Sequence, residues 1–130
     1  MKYIFDSSSI FRAITEDKIE VLAGNYTLNL ARYELGNIIW KRRMLLNDLE
    51  RDEYKRLMEI IKGTLNLMEI IDINCHEANI AELAENLNLT FYDASYIFLA
   101  KSMVIPLVTE DRNIKIRAEN QIKILTMEDL

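Results

Sequence analysis

Short apolar stretches alternate with longer segments of helical periodicity along the whole chain. The stretches rich in β-branched residues predict strands at 2–5, 69–73, 106–109 and 121–125, and a further short apolar stretch lies at 21–28. Segments with apolar residues at helical spacing predict helices at 10–17, 30–46, 49–65, 75–87, 91–103 and 111–118. Strands that alternate with helices favour a parallel sheet with helices on both faces, so the pattern predicts an α/β fold.

Polar residues stand where several of these helices begin. Asn29, Asn74 and Thr90 each precede a helical segment, and side chains of these types often accept hydrogen bonds from the free amides of the first turn. We therefore predict all three as N-caps. In the helix at 30–46, the predicted apolar stripe runs from Leu35 to Leu45 and Leu46.

The composition indicates one domain that spans residues 1–130. Half of the 130 residues are hydrophobic, and there are only one proline and three glycines, which suits one core with short connections. Cys75 is the only cysteine, and no apolar run approaches the roughly 20 residues that a membrane helix needs. A charge at Asp6 interrupts the amino-terminal segment before a signal-peptide core forms. We therefore expect a soluble cytoplasmic protein.

The charge distribution restricts the ways in which the chain can hold nucleic acid. The net charge is −5, whereas a protein that binds nucleic acid by neutralising its backbone is usually basic. A nuclease is still compatible with this charge, because bound metal ions reverse the sign of an acidic pocket. Basic residues gather in Lys41-Arg42-Arg43, in 51–62 and in 101–123, either as solvated helix faces or as a surface for phosphate or a partner.

Four acidic residues occupy positions that a parallel sheet brings to one edge. Asp6 and Asp111 follow predicted strands, and Glu34 and Asp93 lie near the starts of predicted helices. Each has a local explanation as a turn former, an N-cap or a partner of the helix dipole. Together they would repel one another, and a bound Mg²⁺ or Mn²⁺ would remove that repulsion. The sequence therefore predicts a site for a hard divalent cation.

Three polar residues flank these acids and are candidates for a supporting role. Ser8 and Thr109 each lie two residues from an acid, and Asn37 lies one helical turn after Glu34, so each could orient a carboxylate or a metal-bound water. A zinc site is not expected, because His76 and Cys75 are the only residues of the types that zinc prefers.

The acidic residues and their neighbours resemble the PIN-domain family, and most of all its VapC branch in toxin–antitoxin systems. The resemblance covers essentially the whole chain and rests on four motifs in order: Tyr3-Ile4-Phe5-Asp6-Ser7-Ser8, Tyr33-Glu34-Leu35, Leu89-Thr90-Phe91-Tyr92-Asp93-Ala94 and Leu107-Val108-Thr109-Glu110-Asp111. It implies a three-layer α/β/α fold around a mainly parallel sheet of four to five strands.

The same resemblance implies a divalent-metal-dependent endoribonuclease that hydrolyses phosphodiester bonds in RNA. Asp6, Asp93 and Asp111 would hold Mg²⁺ or Mn²⁺, with Glu34 completing the catalytic set. It further implies a homodimer and a small VapB-like antitoxin. We expect Glu110 to be solvated, and we expect the aromatic rings at 11, 33 and 92 to pack in the core rather than to stack on RNA bases.

Other functions fit the sequence less well or cannot be separated by it. A haloacid-dehalogenase-type phosphatase would need an acid where Ser8 stands, and a receiver domain would need an acidic pair after the first strand. A PIN-fold RNA-processing nuclease without an antitoxin and a catalytically inactive interaction scaffold both remain open.

Overall fold

The computed structural model describes residues 1–130 as a five-stranded sheet, all parallel, with the strand order β3-β2-β1-β4-β5. The strands are β1 Ile4–Phe5, β2 Tyr26–Leu28, β3 Glu69–Ile71, β4 Leu107–Val108 and β5 Ile124–Leu125. The helices are α1 Ser7–Thr15, α2 Leu30–Met44, α3 Arg51–Asn66, α4 Glu77–Leu87, α5 Phe91–Met103 and α6 Arg112–Ala118.

Two hydrophobic cores lie on opposite faces of this sheet. Ile4 belongs to the core that contains residues of α5 and α6, whereas its neighbour Phe5 belongs to the core under α1, α2 and α3. Leu107 and Val108 divide between the same two cores. This alternation is what a strand buried on both faces requires. The predicted α/β/α architecture with a parallel sheet is confirmed.

The main differences from the predicted elements lie at their ends. The first helix begins at Ser7, directly after β1, because the Asp6 side chain caps it by accepting a bond from the Ser9 amide. The apolar stretch at 21–28 divides between a 3₁₀ turn at Ile19–Leu22 and strand β2.

Only one of the three predicted caps forms. Thr90 accepts a bond from the Asp93 amide, as expected. The prediction was wrong for Asn29, whose backbone is already helical (φ −56°, ψ −27°) and whose side chain caps nothing. It was also wrong for Asn74, because Cys75 adopts a left-handed conformation (φ 68°) and the helix starts only after His76.

The predicted apolar stripe of α2 is too long. The helix ends at Met44, and Leu45 and Leu46 are exposed, whereas Leu35 and Ile39 are buried. The predicted burial of Leu45 and Leu46 was therefore wrong, since the chain has left the helical path where they lie. None of the six helices combines the length and the apolar character needed to cross a membrane.

Candidate active site

The four predicted acids come from four elements around the carboxyl edge of the sheet. Asp6 lies between β1 and α1, and Asp111 lies between β4 and α6. Asp93 is in the first turn of α5, and Glu34 is the fifth residue of α2. In parallel sheets this edge is where ligands bind.

Asp6 is buried and held by several donors. Its Oδ1 accepts hydrogen bonds from Ser8 Oγ at 2.7 Å, from the Ser9 amide at 3.0 Å and from Ser9 Oγ at 3.1 Å. Its Oδ2 accepts a bond from Thr109 Oγ1. Burial nevertheless dominates and raises the pKa of Asp6 to about 6, although these hydrogen bonds oppose the rise. The carboxylate is fixed in position but lacks a compensating positive charge.

The hydroxyls of Ser8 and Thr109 connect Asp6 to the segment after β4. Thr109 Oγ1 accepts a bond from the Asp111 amide at 3.0 Å, and Ser8 Oγ accepts one from the Glu110 amide at 3.0 Å. The two hydroxyl oxygens lie 3.3 Å apart. Two of the three predicted supporting residues, Ser8 and Thr109, thus hold Asp6, and they tie the start of α1 to the segment after β4.

Asp111 combines a structural role with an open carboxylate oxygen. Its Oδ1 accepts bonds from the amides of Asn113 at 2.8 Å and Ile114 at 3.2 Å, which makes it the N-cap of α6. Its Oδ2 accepts no hydrogen bond from the rest of the chain. The N-cap interpretation is therefore correct and leaves half of the carboxylate free for a ligand.

Glu34 and Asp93 are half-buried, and the negative charge of a neighbouring acid contributes to the pKa of each. Burial is the main cause of the raised pKa of Glu34, and the charge of Asp93 adds to it. Burial also raises the pKa of Asp93, with a further rise from the charge of Asp111. Glu34, Asp93 and Asp111 are therefore coupled through their charges, whereas burial alone raises the pKa of Asp6. We call the four acids at this edge the acidic cluster.

Tyr96 is a site residue that the sequence interpretation missed. Its hydroxyl donates to Glu34 Oε1 at 2.7 Å, and it is 1% exposed. Burial and the nearby charges of Glu34 and Asp6 raise the pKa of Tyr96, so its hydroxyl stays protonated and remains a donor. The sequence could have indicated this role, because Tyr96 lies three residues after Asp93 and therefore on the same face of α5.

Comparison with known proteins bears on this geometry. The model of the PIN domain family matches residues 3–120. The chain belongs to the PIN-domain family. The resemblance drawn from the four sequence motifs is confirmed.

A curated relative and a solved structure, both from Pyrobaculum aerophilum, are similar to this PIN domain over most of its length. Exonuclease VapC9 of Pyrobaculum aerophilum is 29% identical over 129 residues, which cover 98% of this chain and 93% of that protein. The crystal structure of PAE2754 from Pyrobaculum aerophilum has a TM-score of 0.83 and 25% identity, over 99% of this chain and 85% of that one.

A more distant structure shares the fold alone. VapBC2 from Rickettsia felis, solved with a DNA fragment from its promoter, has a TM-score of 0.66 and 17% identity, over 97% of this chain and 98% of that one.

The acidic cluster of this PIN domain matches a hard divalent cation in chemistry and charge. All its donors are carboxylate or hydroxyl oxygens, which Mg²⁺ and Mn²⁺ prefer. Burial is the main cause of the raised pKa values of Asp6, Glu34 and Asp93, and a bound cation would lower all three. The side chains do not form a closed ligand shell, because no three acidic, His or Cys groups stand close enough together to hold one ion. The residues thus fit the cation by the chemistry of their donor atoms, although they do not surround one position.

Glu110 is partly buried and paired within the chain, so the prediction that it is solvated was wrong. Its Oε1 forms an ion pair with Arg12, and its Oε2 accepts a bond from the Met127 amide at 2.8 Å. Arg12 also bonds Glu16 at 2.8 Å and Glu128 at 3.2 Å. These contacts tie α1 to the segment after β4 and to the last turn of the chain.

Asn37 is exposed on α2 and forms no hydrogen bond with any of the four acids. It lines a shallow cavity together with Glu34, so its supporting role stays a prediction.

Two of the three aromatic residues predicted for the core lie at the surface. Phe11 packs against the core, as expected. Tyr33 is 69% exposed and Tyr92 is 60% exposed, so the prediction was wrong for both. Tyr33 is exposed because α2 directs Ala31 and Leu35 toward the sheet, so the side of the helix that carries Tyr33 faces solvent.

Proposed function

We propose that this PIN domain is a divalent-metal-dependent endoribonuclease, and that it is the toxin of a VapBC-type toxin–antitoxin pair. The observation that carries the proposal is the cluster of four carboxylates at the carboxyl edge of the sheet, three of which have raised pKa values. The name of the relative VapC9, an exonuclease, supports nuclease activity.

The four carboxylates would bind the cation in different ways. Asp6 and Asp93 would be the central ligands of Mg²⁺ or Mn²⁺, with Asp111 and Glu34 binding directly or through water. When bound, such a cation supplies Lewis-acid stabilisation of the charge that develops on the phosphodiester.

The remaining polar groups would orient the carboxylates and handle protons. Ser8 and Thr109 hold the Asp6 carboxylate, and Asn37 would orient a bound water or phosphate. Tyr96 keeps Glu34 in one orientation through the 2.7 Å hydrogen bond. Because the pKa of Glu34 is raised, this carboxylate is suited to accept a proton from an attacking water.

The mode of cleavage follows from the resemblance and needs a direct test. The relative VapC9 is named an exonuclease, whereas we propose internal cleavage of single-stranded RNA. A circular RNA separates the two modes, since only an endonuclease opens it.

Partners belong to the same proposal. We propose a homodimer in the cytoplasm and a VapB-like antitoxin that places a basic segment over the acidic cluster, because opposite charge would favour that contact. A PIN-fold RNA-processing nuclease would have the same cluster and no antitoxin. An inactive interaction scaffold would keep the fold and lack the reaction.

The experiment is cleavage of labelled total cellular RNA with Mg²⁺, Mn²⁺ or EDTA. Wild type is compared with Asp6→Asn/Asp93→Asn and with Asp52→Asn, which makes the same chemical change at an exposed position on α3. We expect discrete products from wild type and from Asp52→Asn, and none with EDTA or from the double variant. If all three proteins are inert and neither metal raises the melting temperature of wild type, the scaffold alternative replaces the nuclease proposal.

A further inference from the structure

A cavity of about 250 Å³ lies beside the acidic cluster, between the starts of α2 and α5 and the end of β3. Its floor is apolar, and its walls include the rings of Tyr33, Phe91 and Tyr92. Asn29 and Asp72 bring polar groups to the same cavity. We call it the aromatic cavity.

The two tyrosine rings of the aromatic cavity are free to accept a ligand. Tyr33 is 69% exposed and Tyr92 is 60% exposed. Neither ring stacks on another aromatic ring, since the aromatic contacts in the chain are Tyr3 with Phe5 and His76 with Phe98. Neither hydroxyl forms a hydrogen bond within the chain. Large rings left uncovered in this way gain free energy when a flat apolar surface covers them.

The aromatic cavity is continuous with the acidic cluster. Tyr33 and Tyr92, with Leu30, also line a second cavity that includes Glu34. In both helices a tyrosine directly precedes an acid of the cluster, as Tyr33-Glu34 in α2 and as Tyr92-Asp93 in α5. A ligand that reaches from the acids into the aromatic cavity therefore passes along the two tyrosines.

The charges around these cavities disfavour a phosphate group, because Asp72 and Glu34 are their charged lining residues. Neither cavity is lined by Lys or Arg, so phosphate neutralisation contributes no attraction there. A nucleobase carries no charge, offers two flat faces for stacking, and has polar edges that Asn29 and Asp72 could contact. Base–aromatic stacking supplies affinity for RNA that an acidic surface cannot draw from the phosphates.

We infer that the aromatic cavity binds one base of the RNA strand next to the phosphate that lies at the acidic cluster, with Tyr33 and Tyr92 as its stacking residues. This inference rests on the proposed ribonuclease function and names how the substrate is held. A protein segment that inserts an apolar side chain is the competing occupant.

The test is kinetic, with a short single-stranded RNA that wild type cleaves at one place and with copies that carry one abasic position each. Tyr33→Ala and Tyr92→Ala remove the rings, and the corresponding Phe variants keep them. Trp40→Ala is the matched control, because Trp40 is an exposed aromatic residue on α2 that lines neither cavity. Melting temperatures check that each variant is folded.

We expect each Ala variant to raise KM by roughly 5- to 150-fold, the range for loss of one stacked base. Both Phe variants and Trp40→Ala should stay close to wild type. One abasic position in the RNA should raise KM by a similar factor in wild type, and should add little in the Ala variants because the stacking partner is already absent.

Two results overturn the inference, and they are distinguishable. In the first result, wild type cleaves the RNA, but neither the Ala substitutions nor the abasic positions change KM. The cavity then does not bind a base and is left to a protein partner, while the nuclease proposal stands. If wild type neither cleaves nor binds RNA with either metal, the proposed function fails and the inference fails with it.

Discussion

The hydroxyl of Tyr96 donates a hydrogen bond to the carboxylate of Glu34 at 2.7 Å, across 62 residues of sequence. Tyr96 is almost completely buried in α5, and Glu34 is half-buried in α2. The bond joins α2, which carries Glu34, to α5, which carries Asp93 in its first turn. It also lowers the free energy of the ionised carboxylate, because a donor stabilises the charged form.

Tyr96→Phe should therefore change the pH profile of the enzyme as well as its rate. Loss of the donor raises the pKa of Glu34 further, so the acidic limb of the kcat profile should move to higher pH. We expect kcat at neutral pH to fall by about tenfold, less than the roughly 100- to 10,000-fold contribution of a group that itself transfers the proton, because Tyr96 only positions Glu34. Stability should fall by about 1.5–3 kcal/mol, as is typical for a lost bond to a charged group.

A matched variant separates this effect from a general loss of packing. Tyr54→Phe removes a hydroxyl from a half-buried tyrosine of α3, outside the acidic cluster. It should leave the pH profile unchanged. An unshifted acidic limb in Tyr96→Phe would mean that the bond serves the fold only.

The buried carboxylate of Asp6 should make the protein less stable as pH rises. The folded pKa is about 6 and the ordinary value is 3.8, so the folded state binds this proton more tightly than the unfolded chain does. The stabilising contribution of the protonated group is complete below about pH 4 and is lost as pH rises through about 6. The total is about 3 kcal/mol, from about two pKa units at 1.36 kcal/mol each.

Urea unfolding measures this pH-dependent contribution of Asp6 to stability. Wild type and Asp6→Asn are compared between pH 4 and pH 8, without metal. The difference in the free energy of unfolding between the two proteins should shift by about 3 kcal/mol in favour of Asp6→Asn over that interval. A constant difference would show that Asp6 keeps an ordinary pKa in the folded state.

The positions of the acids were predictable because they depend on local rules. Asp6 and Asp111 follow strands, and the carboxyl ends of parallel strands share one edge. Asp93 was placed correctly because Thr90 caps α5 at the predicted residue. Each rule uses only a few neighbouring residues, so the sequence suffices.

Partners distant in the chain were not predictable in the same way. Glu110 was expected in solvent because nothing near it in sequence calls for a partner, yet Arg12 lies 98 residues away and binds it. Tyr33 and Tyr92 were expected in the core because aromatic residues usually are, but the sheet buries other faces of their helices. These features depend on how the helices lie on the sheet, which the periodicity does not specify.

The ion pair of Arg12 and Glu110 should stabilise the segment that carries Thr109 and Asp111. Both side chains are about three-quarters buried, at 25% and 23% exposure, so screening by water is incomplete. Glu110→Gln removes the charge and keeps the shape, and we expect a loss of about 1–2 kcal/mol. Glu128→Gln, whose carboxylate is 79% exposed, is the control and should cost less than about 0.5 kcal/mol. If both substitutions lowered the free energy of unfolding in urea by the same amount, the stabilising role of the Arg12–Glu110 pair would be contradicted.

Val104 should be a site where one substitution stabilises the fold. It ends α5 in the left-handed conformation (φ 55°, ψ 46°), which a β-branched residue rarely adopts, and it is 87% exposed. Glycine takes this conformation without strain and is the usual residue at the end of a helix, so Val104→Gly should raise the free energy of unfolding by about 1 kcal/mol. Chemical denaturation measures it, with Ile116→Gly in α6 as the control, because that exposed residue is in helical conformation and glycine there should destabilise by about 1 kcal/mol. Destabilisation by both substitutions would mean that Val104 makes contacts worth more than its backbone strain.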